Sequence, residues 1–122
     1  MIRLGTALKS QEPPFHRGLV ISDPQNTGGQ VVFVRVTTDD GTWPDRDCLL
    51  TPAEWNELDH DSTVAYSTCK FGPAVQALEA AIQRGLFQPI SSPSIEVLRK
   101  VIAAGRTAAG MPPGAKKLLA QL

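Results

Sequence analysis

Net charge is what this chain lacks most clearly: twelve Lys and Arg stand against twelve Asp and Glu over 122 residues. The whole-molecule field that draws basic proteins onto nucleic acid is therefore absent, and any such binding has to be local. Cysteine is scarce as well. Cys48 and Cys69 are too few and too isolated for a disulfide framework or a zinc motif, and each suits the role of a packed free thiol. No run approaches the roughly 18 apolar residues that span a bilayer, and Met1 to Gly5 has no apolar signal core. A cytoplasmic protein without membrane contact is the expectation. Neither GxGxxG nor GxxxxGK followed by Ser or Thr occurs, which removes the glycine loops that cradle phosphates before a helix.

What is present fits one domain, since 122 residues and 42% hydrophobic content are ordinary for a single soluble core. Charge is unevenly spread. Residues 39 to 61 hold eight acids against Arg46 alone, whereas residues 97 to 122 hold no acid but carry Arg99, Lys100, Arg106, Lys116 and Lys117. Two consequences are open: pairing of the two segments within or between subunits, or a basic tail helix that touches phosphates.

Along the chain, residues 1 to 14 read as an irregular lead-in arm ending in Glu12-Pro13-Pro14. His16 to Ser22 is a first β run, and Asp23-Pro24 with the polar Gln25 to Gly29 turns the chain into a hairpin. In the next run Val32, Val34 and Val36 take one face while Phe33, Arg35 and Thr37 take the other. A short strand at Cys48-Leu49-Leu50 leads to Thr51-Pro52-Ala53-Glu54, a capping box that predicts one or two helical turns to about Leu58. Thr63 to Thr68 is a further strand. Gly72-Pro73 then opens a helix with Val75, Leu78 and Ile82 in line, ended by Gly85. Ser92-Pro93 opens another, striped by Ile95, Leu98, Val101 and Ile102, and Pro112-Pro113 a last short one with Leu118 and Leu119. Strands first and helices last, without β-α-β alternation, predict a mainly β, α+β domain: a small antiparallel β-barrel or curled sheet over residues 15 to 71 and a helical extension over 72 to 122.

The segment His16-Arg17-Gly18-Leu19-Val20-Ile21-Ser22-Asp23-Pro24, followed by Val31 to Thr38 and by the His60-Asp61-Ser62 strand start, resembles the core of MazF/PemK-type growth-inhibitor toxins. The resemblance covers roughly residues 15 to 71. It implies an SH3-like barrel, a homodimer, an antitoxin partner, and metal-independent cleavage of single-stranded RNA without a cofactor. In that family a Thr/Ser pair ending the Val-rich strand and an arginine in a later strand contribute to the active site. Thr37 and Thr38 match the first element; residues 62 to 68 contain no basic residue to match the second.

Cleavage by a neighbouring 2′-hydroxyl needs a base, an acid for the leaving oxygen, and cations or donors for the developing phosphorane charge. His60 suits acid or base work, because an imidazole titrates near neutral pH, and Asp61 or Asp59 can set its tautomer. Arg35 or Lys70 can supply positive charge, and Thr37 and Thr38 can orient the phosphate. Arg17, Ser62, Lys70 and Trp43 are candidate binding residues, the indole of Trp43 as a surface on which a base or a partner can stack.

Each also has a structural explanation. Asp61 and Ser62 suit capping at a strand start, Thr37 and Thr38 are good β residues, Arg35 can pair with an acid of the 39 to 61 segment, and His16 can pair with a neighbour. Trp55, after the capping box, is expected in the core. Asp45, Asp47, Asp59, His60 and Asp61 lack metal-ligand spacing. Two function classes follow: a toxin-like endoribonuclease, or a non-catalytic barrel that binds protein or nucleic acid, such as a mobile-element protein acting on a host system.

Overall fold

The structure, a computed structural model, describes residues 2–12, 16–73 and 75–121. Its strands are β1 (Ala7–Ser10), β2 (Arg17–Val20), β3 (Gln30–Thr38), β4 (Leu49–Leu50), β5 (Ser62–Pro73) and β6 (Phe87–Ile90). Its helices are α1 (Val75–Gln83), α2 (Ile95–Thr107) and α3 (Pro113–Leu119). The strands form one antiparallel sheet in the order β4-β5-β3-β2-β1-β6. Its outer strands β4 and β6 do not pair, so the sheet is not closed into the expected barrel.

The two-residue period of β3 decides how the layers assemble. Val32, Val34 and Val36 enter a large core with Leu19, Ile21, Val64, Tyr66 and the apolar faces of α2 and α3. Val31 and Phe33 enter a smaller core on the other face with Ile2, Leu8 and Val20, against which Val75, Leu78 and Ile82 of α1 pack. Helices therefore cover both faces of the sheet.

Four expectations need correction. Residues 7 to 10 of the expected arm are β1, an inner strand between β2 and β6, while Pro13 and Pro14 lie outside the described residues. Ala7 faces one core and Leu8 the other, so both are apolar and the polar alternation that marks a half-exposed strand is missing. The helical half contains β6, which carries Pro89 at the sheet edge, where a missing backbone donor is tolerated.

The Thr51–Glu54 capping box does form, with Glu54 N–H donating to Thr51 Oγ1 at 3.3 Å and Thr51 N–H to Glu54 Oε1 at 3.1 Å. Only turns follow it, however, because Trp55 and Leu58 are drawn separately into the core. In α2, finally, Ile95 is 54% exposed and Val97 takes the buried place beside Leu98, Val101 and Ile102. Ser94 is the N-cap, its Oγ accepting from Val97 N–H at 3.2 Å, which puts Ile95 at the outward start of the first turn. Burial of those four side chains is worth about 6–12 kcal/mol as an upper estimate.

Other expectations hold. Trp55 is buried, its Nε1–H donating to Ser91 O at 2.8 Å. Cys48 and Cys69 are free thiols, the first buried and the second half-buried. Gly85, at φ +77°, ends α1 with its N–H donating to Ile82 O while Leu86 N–H reaches Ala81 O, the paired closure of a Schellman motif. The acidic and basic segments meet where Lys100 Nζ lies 2.8 Å from Glu54 Oε2.

Candidate functional site

Antiparallel pairing of β3 with β5 builds the site. Thr38 sits opposite Ser62 and Thr37 opposite Thr63, so the end of β3 meets the start of β5. His60 lies two residues before Ser62, whose Oγ donates to the His60 carbonyl at 2.9 Å and fixes that turn. Asp39 N–H donates to Asp61 O at 2.9 Å, which continues the pairing past the strand ends. Thr37, Thr38, His60 and Ser62 consequently line one cleft of about 340 Å³, together with His16, Arg17, Arg35 and Asp59.

Its electrostatics are mixed. Arg17 Nη2 donates to Asp59 Oδ2 at 3.1 Å, with side-chain exposures of 16% and 74%. The same guanidinium has a buried Nε–H that meets no hydrogen-bond acceptor among the described residues. An unmet buried donor costs about 1–3 kcal/mol, and the exposed Asp59 pair contributes little against it. Arg35 has no ion-pair or hydrogen-bond partner among the described residues, contrary to the pairing its acidic surroundings allow. Two acids of the 39 to 61 segment are engaged elsewhere. Asp39 pairs with Arg46, whose guanidinium holds its carboxyl below the usual range, with Gly41 N–H assisting. Asp45 is buried and accepts from Ser67 N–H at 3.0 Å and from Ser67 Oγ–H at 2.6 Å.

The remaining sequence candidates divide. His16, expected as a strand-start residue, lines the cleft on the side of Arg17; it stands just before β2, where no period exists from which to read it. Asp61 is exposed and does not line the cleft, a place that Asp59 takes instead, because the turn before β5 directs Asp59 toward Arg17. Trp43 is half-buried and lies outside the cleft. Lys70 is exposed and lines an adjoining groove of about 480 Å³ between β3, β5 and α1. His16 and Arg35 line both.

Among the described residues, no group of three or more His, Cys, Asp or Glu side chains is placed to hold a metal ion, and no helix is long and apolar enough to cross a membrane. Compared with protein-family models and with curated proteins, the chain matches none.

Proposed function

We propose that this protein is an endoribonuclease of the toxin type that cuts single-stranded RNA by attack of the neighbouring 2′-hydroxyl. One observation carries the reading: two imidazoles, two guanidinium groups and two threonine hydroxyls line a single cleft. That set supplies each chemical need of the reaction. One histidine, His60 or His16, removes the 2′-hydroxyl proton, and the other donates a proton to the departing 5′-oxygen as the 2′,3′-cyclic phosphate forms. Arg35 and Arg17 face the phosphorane charge, Arg17 through the Nε–H that lacks an acceptor. Thr37 and Thr38 orient the phosphate oxygens by hydrogen bonding. In this reading Arg35 stands in for the family's missing β5 arginine, since it reaches the cleft from β3, next to Ala65 across the ladder.

The rest of the resemblance comes with this reading: the curled β4-β5-β3-β2-β1 portion corresponds to an SH3-like barrel, the active species is a homodimer, and an antitoxin segment occupies the cleft in the resting cell. Purified protein mixed with a mixed-sequence single-stranded RNA in EDTA tests it. Fragments ending in 2′,3′-cyclic phosphate are expected, and intact RNA both in EDTA and with added divalent metal overturns it. RNA that is bound but never cut turns the reading into the second class, a binding module.

A further inference from the structure

The groove beside the cleft is a different kind of surface. Its floor is Phe33 packed edge-on against Phe87, with ring centroids 5.8 Å apart and planes at 75°. Thr68 lines it from β5 and Leu78 from α1, while the Phe71 ring lies on the other face of the sheet, against Gly114. Soluble domains seldom leave an aromatic surface of this kind open without a ligand for it. Two cations, Arg35 and Lys70, also line it, and among its described lining residues there is no acid.

We propose that this groove is a stacking subsite for a nucleobase, the one attached to the phosphate held in the neighbouring cleft; the inference rests on the ribonuclease reading and deepens it. Three observations commit the occupant to single-stranded nucleic acid. Along β3 the side chains of Phe33, Arg35 and Thr37 follow one another on the same face in steps of about 7 Å, so an aromatic floor, a guanidinium and a hydroxyl stand in the order base, phosphate, reacting centre. His16 and Arg35 belong to both cavities, which makes the surface continuous. Lys70, opposite Phe33 in the ladder, adds positive charge beside the ring, a combination that suits a base with its phosphates better than an apolar protein segment. Aromatic faces accept any base, so the subsite favours stacking strength over base identity.

The test uses the full chain and fluorescence anisotropy with two labelled oligomers: a mixed-sequence 2′-O-methyl RNA that cannot be cut, and an abasic oligomer with the same number of phosphates. The base-bearing oligomer is expected to bind at least about tenfold more tightly. Phe87→Leu should weaken it by about 5- to 100-fold, the loss of one stacked base, and leave the abasic oligomer unaffected. Because Phe87 also packs against Phe33, Ala77→Leu provides a second variant, filling the groove from the exposed side of α1 without deleting a contact. It should produce the same selective loss. Equal binding of the two oligomers, or unchanged affinity in both variants, overturns the proposal. Cutting of unmodified RNA is scored separately: selective base-dependent binding without any cutting sustains the subsite while removing the nuclease, and cutting that ignores both variants removes the subsite alone.

Discussion

Thr38 and Ser62 are direct partners across the β3–β5 ladder, and the Ser62 hydroxyl holds the His60 carbonyl at 2.9 Å. Backbone and hydroxyl bonds therefore fix where His60 stands, while its side chain remains exposed. A scaffold and a reactive group are in this way separable at one turn.

His60→Ala should accordingly reduce RNA cutting by about 10²–10⁴-fold, the range for loss of a general acid or base, and leave the melting temperature within about a degree. Single-turnover cleavage and a thermal melt on the same preparation check both halves. Undiminished cutting removes His60 from the chemistry.

Asp59→Asn should release the Arg17 guanidinium, whose present partner is an exposed carboxylate. Affinity for a non-cleavable RNA is expected to rise a few-fold at low salt and to converge with the parent at high salt. A weaker complex would mean that Asp59 positions Arg17 instead of competing for it.

At Gly18 an added Cβ would lie 2.2 Å from the Phe33 ring, which lies across the glycine backbone. Phe33 is buried on its own side of the sheet, so Gly18→Ala should destabilise by about 1–3 kcal/mol in urea unfolding. Phe33→Leu in the same chain should recover part of that loss, and an unchanged urea midpoint for the single variant would contradict the close approach.

Tyr66 is fully buried and donates its hydroxyl to Val101 O at 2.5 Å, tying the bulged part of β5 to α2; burial pushes its phenol pKa upward. Tyr66→Phe is expected to lose about 0.5–1.5 kcal/mol, more if the Val101 carbonyl finds no other donor. Equilibrium unfolding monitored by far-UV circular dichroism measures it.

Burial also raises the Cys69 thiol to about 11 from an ordinary 9.0. The folded state holds this proton more tightly than the unfolded chain, so the associated stability is complete below pH 9 and is lost as pH rises from 9 to about 11. Alkylation of Cys69 should be slow at pH 8 and accelerate through pH 10–11, and Cys69→Ala should flatten the alkaline limb of the stability curve. Fast alkylation at pH 8 would show an accessible thiolate.

How far the sequence foretold this structure differs from element to element. β3 was legible because its three valines alternate with Phe33, Arg35 and Thr37, and from β3 the meeting of Thr37 with the His60 turn follows once β5 pairs beside it. β1 and β6 were not, since both faces of β1 are covered and β6 includes a proline. The bulge was also out of reach: Val34 alone on β3 faces residues 66 to 69 of β5, and no local period announces such a mismatch. At the site, Thr37, Thr38, Arg35 and His60 could be named from strand ends. The exchange of Asp61 for Asp59, and the arrival of His16, depend on how the chain aims side chains just before a strand begins, and periodicity carries no information there.

Pro89 sits in the middle of one outer strand, and the opposite outer strand is two residues long, with the Lys100 ammonium bound to its Leu49 carbonyl at 2.8 Å. Neither of these two strands offers a long row of open main-chain groups, but β4 covers only Ser62 and Thr63 of β5, so beyond Thr63 the margin is β5 itself. Strand addition by a second copy is thus blunted at β4 and β6 and would have to fall on the far half of β5, leaving the rest of the sheet undisturbed.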